Sequence, residues 1–138
     1  MVDLRPLTEN DLPFLLEVRN DKSTRQFLEN DSMFTLKESL KWFRDNQPKW
    51  FVIKMDTTSV GYIRTNGDEV GCDIHPNFRK KGYAKMAYKL YLQDKDYASL
   101  WVFEDNFAVK LYKKLGFTST ENSKMVRKRN YIKMEYHG

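Results

Sequence analysis

Three basic residues and a glycine stand between a strand-like run and a helix-like run in residues 75 to 93, HPNFRKKGYAKMAYKLYLQ. A strand, a short glycine turn and a helix leave several backbone N–H groups free at the positive end of the helix dipole, where phosphate binds. Gly82 lets the backbone approach an anion closely, and the basic residues before it add charge. These are Arg79, Lys80 and Lys81. The pattern favours a pyrophosphate site, and a solvated basic turn is the alternative.

Other chemistries lack their required residues. Neither a Walker A motif nor a GxGxxG dinucleotide motif is present, which disfavours P-loop and Rossmann sites. Cys72 alternates onto the apolar face of its strand with Val70 and Ile74, which indicates a core residue rather than a nucleophile. With His75 and His137 as the only histidines and no cysteine pair, no metal site is expected.

Length and composition predict one domain spanning residues 1–138, because 138 residues with 41% hydrophobic content can bury a sizeable core. A single cysteine cannot form a disulfide within the chain, which favours a reducing compartment. The opening MVDLRPLTEND carries acids and a proline where a signal peptide has a basic start and an apolar stretch, and no apolar run reaches membrane-spanning length. We therefore expect a soluble, cytoplasmic protein without a membrane partner.

The net charge of +5 indicates an anionic partner. Outside the basic runs at 79 to 81 and 124 to 130, the positive residues are spread along the chain, which weakens a nucleic-acid interpretation. The charge does not distinguish a membrane from a phosphorylated small molecule.

The first half of the chain predicts a strand at VDLRPL and a helix at TENDLPFLLEVRND, with Thr8 or Asp11 as its N-cap. Thr35 and Glu38 have capping-box spacing at the start of TLKESLKWFRDN, in which Leu36, Leu40 and Phe43 form a helical stripe. KWFVIKM and SVGYIRT then predict a hairpin, and EVGCDIH a strand after the NGD turn.

The second half predicts a helix from Gly82 to about Asp94 and a fifth strand at SLWVFE, which that helix returns parallel to the strand before it. NFAVKLYKKLGF has the apolar spacing of a helix closed by Gly116, and FTSTE and NYIKMEY predict terminal strands. The fold class is therefore α/β, with a mixed sheet of six to seven strands and about four helices distributed over both faces.

The two motifs of the second half resemble those of a known family. RKKGYA at 79 to 84 resembles the R/Q-x-x-G-x-G/A pyrophosphate loop of the GNAT acetyltransferases, and NFAVKLYKKLGF at 106 to 117 resembles their N-x-x-A-x-x-L-Y-x-x-L-G-F signature. The likeness covers roughly residues 2 to 121. Lys81 stands where many members have glycine or arginine, and Ala84 where many have glycine; neither change removes a backbone donor.

The resemblance implies acetyl-CoA as the cofactor, a splay between the fourth and fifth strands, and a pantetheine arm lying in that gap. The residues expected to bind the cofactor are Ile74, Arg79, Lys80, Lys81, Gly82, Tyr83, Ala84 and Asn106. For Asn106 a plain helix N-cap is an equal alternative.

The same resemblance places the Tyr112 hydroxyl near the cofactor sulfur, where it would protonate the departing thiolate; a core role is the alternative. The oxyanion of the reaction needs an N–H donor, which backbone near Ile74 can supply. Candidates for the base that neutralises the amine are Glu69 and Asp73, with His75 or a water relay as further possibilities.

The acceptor side resembles nucleotide-amino-sugar N-acetyltransferases and the enzymes that acetylate N-termini such as those of ribosomal proteins. Arg19, Asn20 and Trp42 are the expected acceptor contacts, whereas Phe43 is expected to pack. We therefore predict that the protein is an N-acetyltransferase that acts on a small-molecule primary amine. We expect no nucleic-acid partner and a monomer or homodimer. A noncatalytic acyl-CoA sensor on the same fold is the main alternative, because fold does not fix function.

Overall fold

The computed structural model describes all 138 residues. The strands are β1 (Val2–Pro6), β2 (Phe51–Met55), β3 (Thr58–Asn66), β4 (Glu69–Ile74), β5 (Tyr97–Phe103), β6 (Phe117–Val126) and β7 (Arg129–His137). The helices are α1 (Leu12–Arg19), α2 (Lys22–Arg25), α3 (Leu36–Asn46), α4 (Tyr83–Leu92) and α5 (Ala108–Leu115). Two short 3-10 turns, Glu9–Asp11 and Pro76–Phe78, precede α1 and follow β4.

All seven strands form one mixed sheet in the order β1-β2-β3-β4-β5-β7-β6. Every neighbouring pair is antiparallel except β4 and β5, which run parallel and share a single registered pair, Glu69 with Ser99. Beyond that pair the two strands diverge. The α/β class, the mixed sheet and the predicted splay are thus confirmed, with seven strands and five helices rather than about four.

Each face of the sheet buries its own apolar cluster, as an amphipathic layer architecture requires. On one face α4 and α5 pack over a cluster that includes Ile63, Val70 and Leu100. On the other face α1 and α3 cover a smaller cluster built around Leu12 and Tyr62. The site described below lies between these layers, at the gap in the sheet.

Capping signals position the helices as predicted, with one shift. The Thr35 hydroxyl accepts from the Glu38 N–H at 3.1 Å while the Glu38 carboxylate accepts from the Thr35 N–H at 2.9 Å, so the capping box is confirmed. Thr8 caps the 3-10 turn, whereas Asp11, the other predicted position, is the N-cap of α1, which begins at Leu12. Gly116, with φ of 103°, closes α5 as expected.

Three local features differ from the sequence prediction. Leu36 is 45% exposed and does not join the apolar stripe, since it occupies the first position of α3 where no neighbour covers it. The four-residue helix α2 was not predicted, because one turn carries no periodicity. The strands β6 and β7 extend through the basic run at 124 to 130 and form a long hairpin with its turn at Arg127 and Lys128.

None of the five helices is long and apolar enough to span a membrane.

Candidate active site

A cleft of about 520 Å³ opens where β4 and β5 diverge. The end of β4, the start of α4 and one face of α5 form its walls. Most of the predicted cofactor-binding residues line it, namely Ile74, Arg79, Lys80, Gly82, Tyr83, Ala84 and Asn106. Lys81 is exposed and lies outside the lining. The second-motif residue Tyr112 lines the opposite wall, so the two sequence motifs meet in one cavity.

The loop before α4 presents a run of unused backbone donors. No hydrogen bond within the chain is donated by a backbone N–H of residues 79 to 85. Lys80 and Gly82 have φ of 64° and 80°, a left-handed geometry that curls the chain around these amides. A Cβ placed on Gly82 would meet nothing within 4 Å, so the space in front of the loop is open. This donor set and this open space suit a diphosphate.

The Arg79 guanidinium turns inward instead of toward the open side of the loop. Its Nε donates to the Ile74 carbonyl at 3.2 Å, and its two Nη atoms donate to the hydroxyls of Ser23 and Thr24 at 2.6 and 2.8 Å. Arg79 therefore fastens the loop to β4 and α2. An anion would meet its backbone N–H, and Lys80 and Lys85 are cationic side chains that line the cleft and form no ion pair within the chain.

The edge of β4 that faces the gap carries further free donors. The His75 N–H donates to the Val60 carbonyl at 2.8 Å, across the antiparallel pair with β3. Because backbone groups alternate in direction along a strand, the amides of Ile74 and Cys72 point the other way, toward β5. These amides lie along the gap, where a ligand can act as an added strand.

The Asn106 side chain has one group engaged at the start of α5 and one group free. Its side-chain oxygen accepts from the Ala108 N–H at 2.9 Å, which is a capping interaction at the start of α5. Its amide nitrogen donates to no group of the chain and lines the cleft. The residue can therefore cap the helix and still bind a ligand.

Tyr112 stands at the inner end of the cleft. Burial raises the pKa of its hydroxyl to about 12, against opposing effects of a hydrogen bond from Tyr88 and the positive charge of Arg64. The Tyr88 hydroxyl, the donor of that bond, lies 3.4 Å away. At neutral pH Tyr112 is therefore protonated and able to give a proton to a strong base formed beside it.

A second pocket of about 370 Å³ adjoins the cleft on the α1 and α3 side of the sheet. The two cavities share five lining residues, which are Leu28, Arg64, Trp101, Tyr112 and Tyr131. Two molecules entering from opposite sides would meet at this junction. The arrangement suits transfer of a group from one molecule to another in a ternary complex.

Arg64 and Asp73 form a pair beside the junction. The Arg64 Nε donates to the Asp73 Oδ2 at 2.9 Å, and the Asp73 side chain is 11% exposed. Burial disfavours the charged guanidinium, but attraction to Asp73 together with that to the neighbouring tyrosines outweighs this effect and raises the pKa of Arg64 above its ordinary value. Arg64 was not among the predicted site residues, because an arginine in a hairpin strand carries no local signal of function.

The predicted base candidates occupy different settings. Glu69 is exposed, lines the second pocket and forms no ion pair within the chain. Asp73 is held by Arg64. His75 stacks on Phe14 at a centroid distance of 6.0 Å, and its Nδ1 accepts from the Asn77 N–H at 3.1 Å, which gives it a structural role in the turn after β4.

The predicted acceptor contacts are only partly brought together. Arg19 lines the second pocket and a third cavity of about 310 Å³, while its Nη atoms donate to the carbonyls of Asn30 and Ser32. Trp42 lines the third cavity and packs edge-on against Trp50 at 4.8 Å. Both amide atoms of Asn20 bond to the Phe34 backbone, at 2.8 and 2.9 Å, which favours a structural role there. Phe43 packs against the smaller cluster, as expected.

An aromatic and basic wall of the second pocket escaped sequence reasoning. Trp101 on β5 stacks on Tyr131 of β7 at 5.6 Å, and the Lys124 ammonium lies 4.6 Å from the Trp101 ring. Since β5 and β7 are neighbours only through the sheet order, no local pattern could have joined these residues.

Most basic side chains of the run at 124 to 130 make contacts within the chain. Arg127 donates to the carbonyls of Leu28 and Glu29, at 2.6 and 2.8 Å, and Arg129 donates to that of Gln26 at 2.7 Å. Lys124 also pairs with Glu29. These bonds hold residues 26 to 29 against both pockets, so the run is not a free surface for nucleic acid.

The family model for the acetyltransferase (GNAT) family matches residues 13–117. A sequence search of curated proteins finds no significant match. The comparison with solved structures finds closely similar folds at low sequence identity.

One such fold is that of spermidine N-acetyltransferase from Vibrio cholerae in complex with CoA and spermine, with a TM-score of 0.89, 19% identity and coverage of 99% of this chain and 95% of that one. Another is that of yncA from Salmonella typhimurium with its cofactor acetyl-CoA. Its TM-score is 0.80 and its sequence identity 19%, and the match covers 99% of this chain and 94% of that one. A third is that of ribosomal-protein-alanine N-acetyltransferase from Brucella melitensis, with a TM-score of 0.74, a sequence identity of 18% and coverage of 99% of each chain.

Proposed function

Because this chain belongs to the GNAT acetyltransferase family, whose members use acetyl-CoA, we propose that it moves an acetyl group from acetyl-CoA to a primary amine by direct attack in a ternary complex. The observation that carries the proposal is the junction of two pockets at Tyr112, one pocket walled by the free amides of residues 79 to 85 and the other open to a second molecule. Acetyl-CoA supplies the acetyl group in activated form, as a thioester.

The chain holds the cofactor mainly through its backbone. The amides of residues 79 to 84 bind the pyrophosphate, and Lys80 adds charge at the same place. The β4 edge at Ile74 and Cys72 binds the pantetheine arm as a neighbouring strand would. The free amide nitrogen of Asn106 donates to the same arm from the α5 side. Arg79 keeps this loop in place rather than binding phosphate through its side chain.

Two proton transfers complete the chemistry. The attacking nitrogen must first be neutral, and we assign the proton acceptor to Glu69, directly or through water, because this carboxylate lines the second pocket and is unpaired. Asp73 is the less suitable candidate, since it is engaged by Arg64. Tyr112 gives its proton to the leaving sulfur, and a backbone N–H on β4 near Ile74 stabilises the carbonyl oxygen as charge develops there.

For the acceptor, a nucleotide-linked amino sugar is our first proposal. The second pocket has basic side chains, Arg19 and Lys124, beside the carboxylate of Glu69. Arg19 also donates to two backbone carbonyls and Lys124 pairs with Glu29, but their positive charge still favours a phosphate in this pocket, while Glu69 favours an amine. The chain's net charge of +5 supports the same choice.

A protein N-terminus is the second proposal. The second pocket continues past Arg19 and Trp50 into the third cavity, and this extended groove suits a peptide. Ribosomal-protein-alanine N-acetyltransferase from Brucella melitensis shares the fold.

The test is release of free thiol from acetyl-CoA over a panel of amines, with mass spectrometry of the product. The panel contains nucleotide amino sugars, polyamines and short peptides with a free N-terminus. We expect one class to give rapid turnover and a product heavier by one acetyl group. Tight CoA binding with no thiol release on any amine would instead indicate a noncatalytic acyl-CoA-binding protein.

A further inference from the structure

We propose that Arg64 is a catalytic residue that donates hydrogen bonds from its two Nη nitrogens to the acetyl oxygen as that oxygen becomes negative. This inference rests on the proposed function, because it concerns the same acetyl transfer. It adds a side-chain cation to the backbone N–H that β4 supplies.

Arg64 lies where the two pockets meet. Of the five side chains common to the cleft and the second pocket, Arg64 is the only one with a permanent charge. The reacting carbon must lie where the two pockets meet, because one molecule enters from each. A guanidinium at that point acts on charge formed in the reaction itself.

The two Nη nitrogens of Arg64 are free to donate to a ligand. Asp73 occupies the Nε of Arg64, and neither Nη nitrogen donates to any group of the chain. The side chain is 34% exposed, and that exposure is into the two pockets it lines. Since a guanidinium carries its donors in a rigid fork, fixing Nε also fixes the direction of the Nη donors.

Gly71 leaves the space that the Arg64 guanidinium occupies. A Cβ added to Gly71, opposite Arg64 in the β3–β4 ladder, would lie 2.4 Å from an Nη and 2.5 Å from the Cζ. The absence of a side chain at position 71 therefore gives the guanidinium its space. Below it the Tyr62 hydroxyl is buried without a hydrogen-bond partner. Asp73, Gly71 and Arg64 thus fix one arrangement of a charged group against the strand.

The electron balance of the step is simple. The amine nitrogen forms a bond to the acetyl carbon, and the carbonyl electron pair moves to the oxygen, where Arg64 donates. That pair returns as the carbon–sulfur bond breaks, and the sulfur takes the proton of Tyr112. The second proton, which nitrogen loses after it has bonded to carbon, passes to water because Glu69 already holds the first, and a proton from solvent restores Tyr112. Asp73 offsets the charge of Arg64, so the pair does not strongly repel an approaching ammonium ion.

The experiment compares four variants by steady-state thiol release and by calorimetric binding of CoA. Arg64→Gln should lower kcat by about 100-fold, the usual loss for one oxyanion donor, with CoA affinity retained. Gly71→Ala keeps the cation but displaces it, and should lower kcat by about tenfold. Arg64→Lys should fall between Arg64→Gln and wild type. Arg5→Gln removes an arginine paired with Asp11 away from the site and should act as wild type.

Chemical rescue separates catalysis from folding. Arg64→Gly leaves a hole that free guanidinium ion can enter, and added guanidinium at concentrations well below those that unfold proteins should restore part of kcat. Sodium chloride at the same ionic strength should not. Retained kcat in Arg64→Gln would overturn the proposal, and so would equal losses of kcat, CoA affinity and thermal stability without rescue. A wild-type protein that releases no thiol on any amine would refute the proposed function itself.

Discussion

The Arg79 Nη1 donates to the Ser23 hydroxyl at 2.6 Å, across 56 residues of sequence, and so fastens the loop before α4, the proposed pyrophosphate site, to α2. Replacing Arg79 with alanine removes three hydrogen bonds of a charged donor. We expect the free energy of unfolding to fall by about 2 to 4 kcal/mol and CoA affinity to fall with it, because the loop loses its anchor. Chemical denaturation and calorimetry measure the two effects. Lys81→Ala, at an exposed side chain outside the cleft, is the control and should change stability little.

Two substitutions at Gly82 distinguish the effect of backbone geometry from that of a side chain that blocks the proposed anion site. Gly82→Glu should abolish CoA binding, since a carboxylate would project into the open space in front of the free amides. Gly82→Ala has room for its methyl group and should keep most of its affinity, at a stability cost of about 1 to 2 kcal/mol from the positive φ. Calorimetry on both variants decides the matter. Intact CoA affinity in Gly82→Glu would remove this loop from the binding site.

Tyr112→Phe should lower turnover by about 100-fold while CoA binding stays nearly unchanged, because the phenyl ring keeps the packing and loses only the proton donor. Tyr88→Phe is a matched control. It removes a hydroxyl that lies 3.4 Å from that of Tyr112, a long hydrogen bond, and should leave turnover within about threefold of wild type. Full turnover in Tyr112→Phe would exclude Tyr112 from the mechanism.

Activity should not decline at alkaline pH over the range in which most tyrosine hydroxyls lose their proton. Burial raises the pKa of Tyr112 from 10.0 to about 12, so the hydroxyl remains a proton donor up to about pH 10. We expect kcat/KM to rise as the acceptor amine loses its proton and then to stay level. A decline below pH 9 that is absent from Tyr112→Phe would contradict this assignment.

The free energy of unfolding should fall at alkaline pH, because several buried tyrosines have raised pKa values. A tyrosine whose pKa is higher in the folded state stabilises the fold below its unfolded pKa and loses that contribution as pH rises through the folded value. Burial raises the pKa of Tyr62 and Tyr88 well above 10.0, and that of Tyr112 and Tyr131 to about 12. Thermal unfolding should therefore shift to lower temperature between about pH 10 and 12. Tyr112→Phe should lose less over that interval.

The sequence predicted the parts of the site that depend on local geometry. The loop at Gly82 and the end of α5 at Gly116 both require a left-handed residue at one position, and a glycine among helix-forming residues marks each. The capping box at Thr35 likewise depends on two residues three apart. Signals of this kind are visible in a single chain because the interacting groups are neighbours in sequence.

The parts that depend on sheet order were not predictable in the same way. Arg64 becomes a junction residue because β3 brings it beside Gly71, and Trp101 meets Tyr131 because β7 inserts next to β5. The same limit explains why Asn20 and Arg79, both predicted to contact ligands, direct their side chains to the chain itself. Residue type indicated polarity there, and tertiary partners determined its use.

The single registered pair between β4 and β5 leaves two internal strands of the sheet without most of their mutual hydrogen bonds. Such amides exchange with solvent deuterium quickly even at the centre of a fold, because solvent is their only partner. A ligand that lies in the gap and accepts hydrogen bonds from these amides would slow their exchange. The sheet of this protein is in that sense complete only with its cofactor.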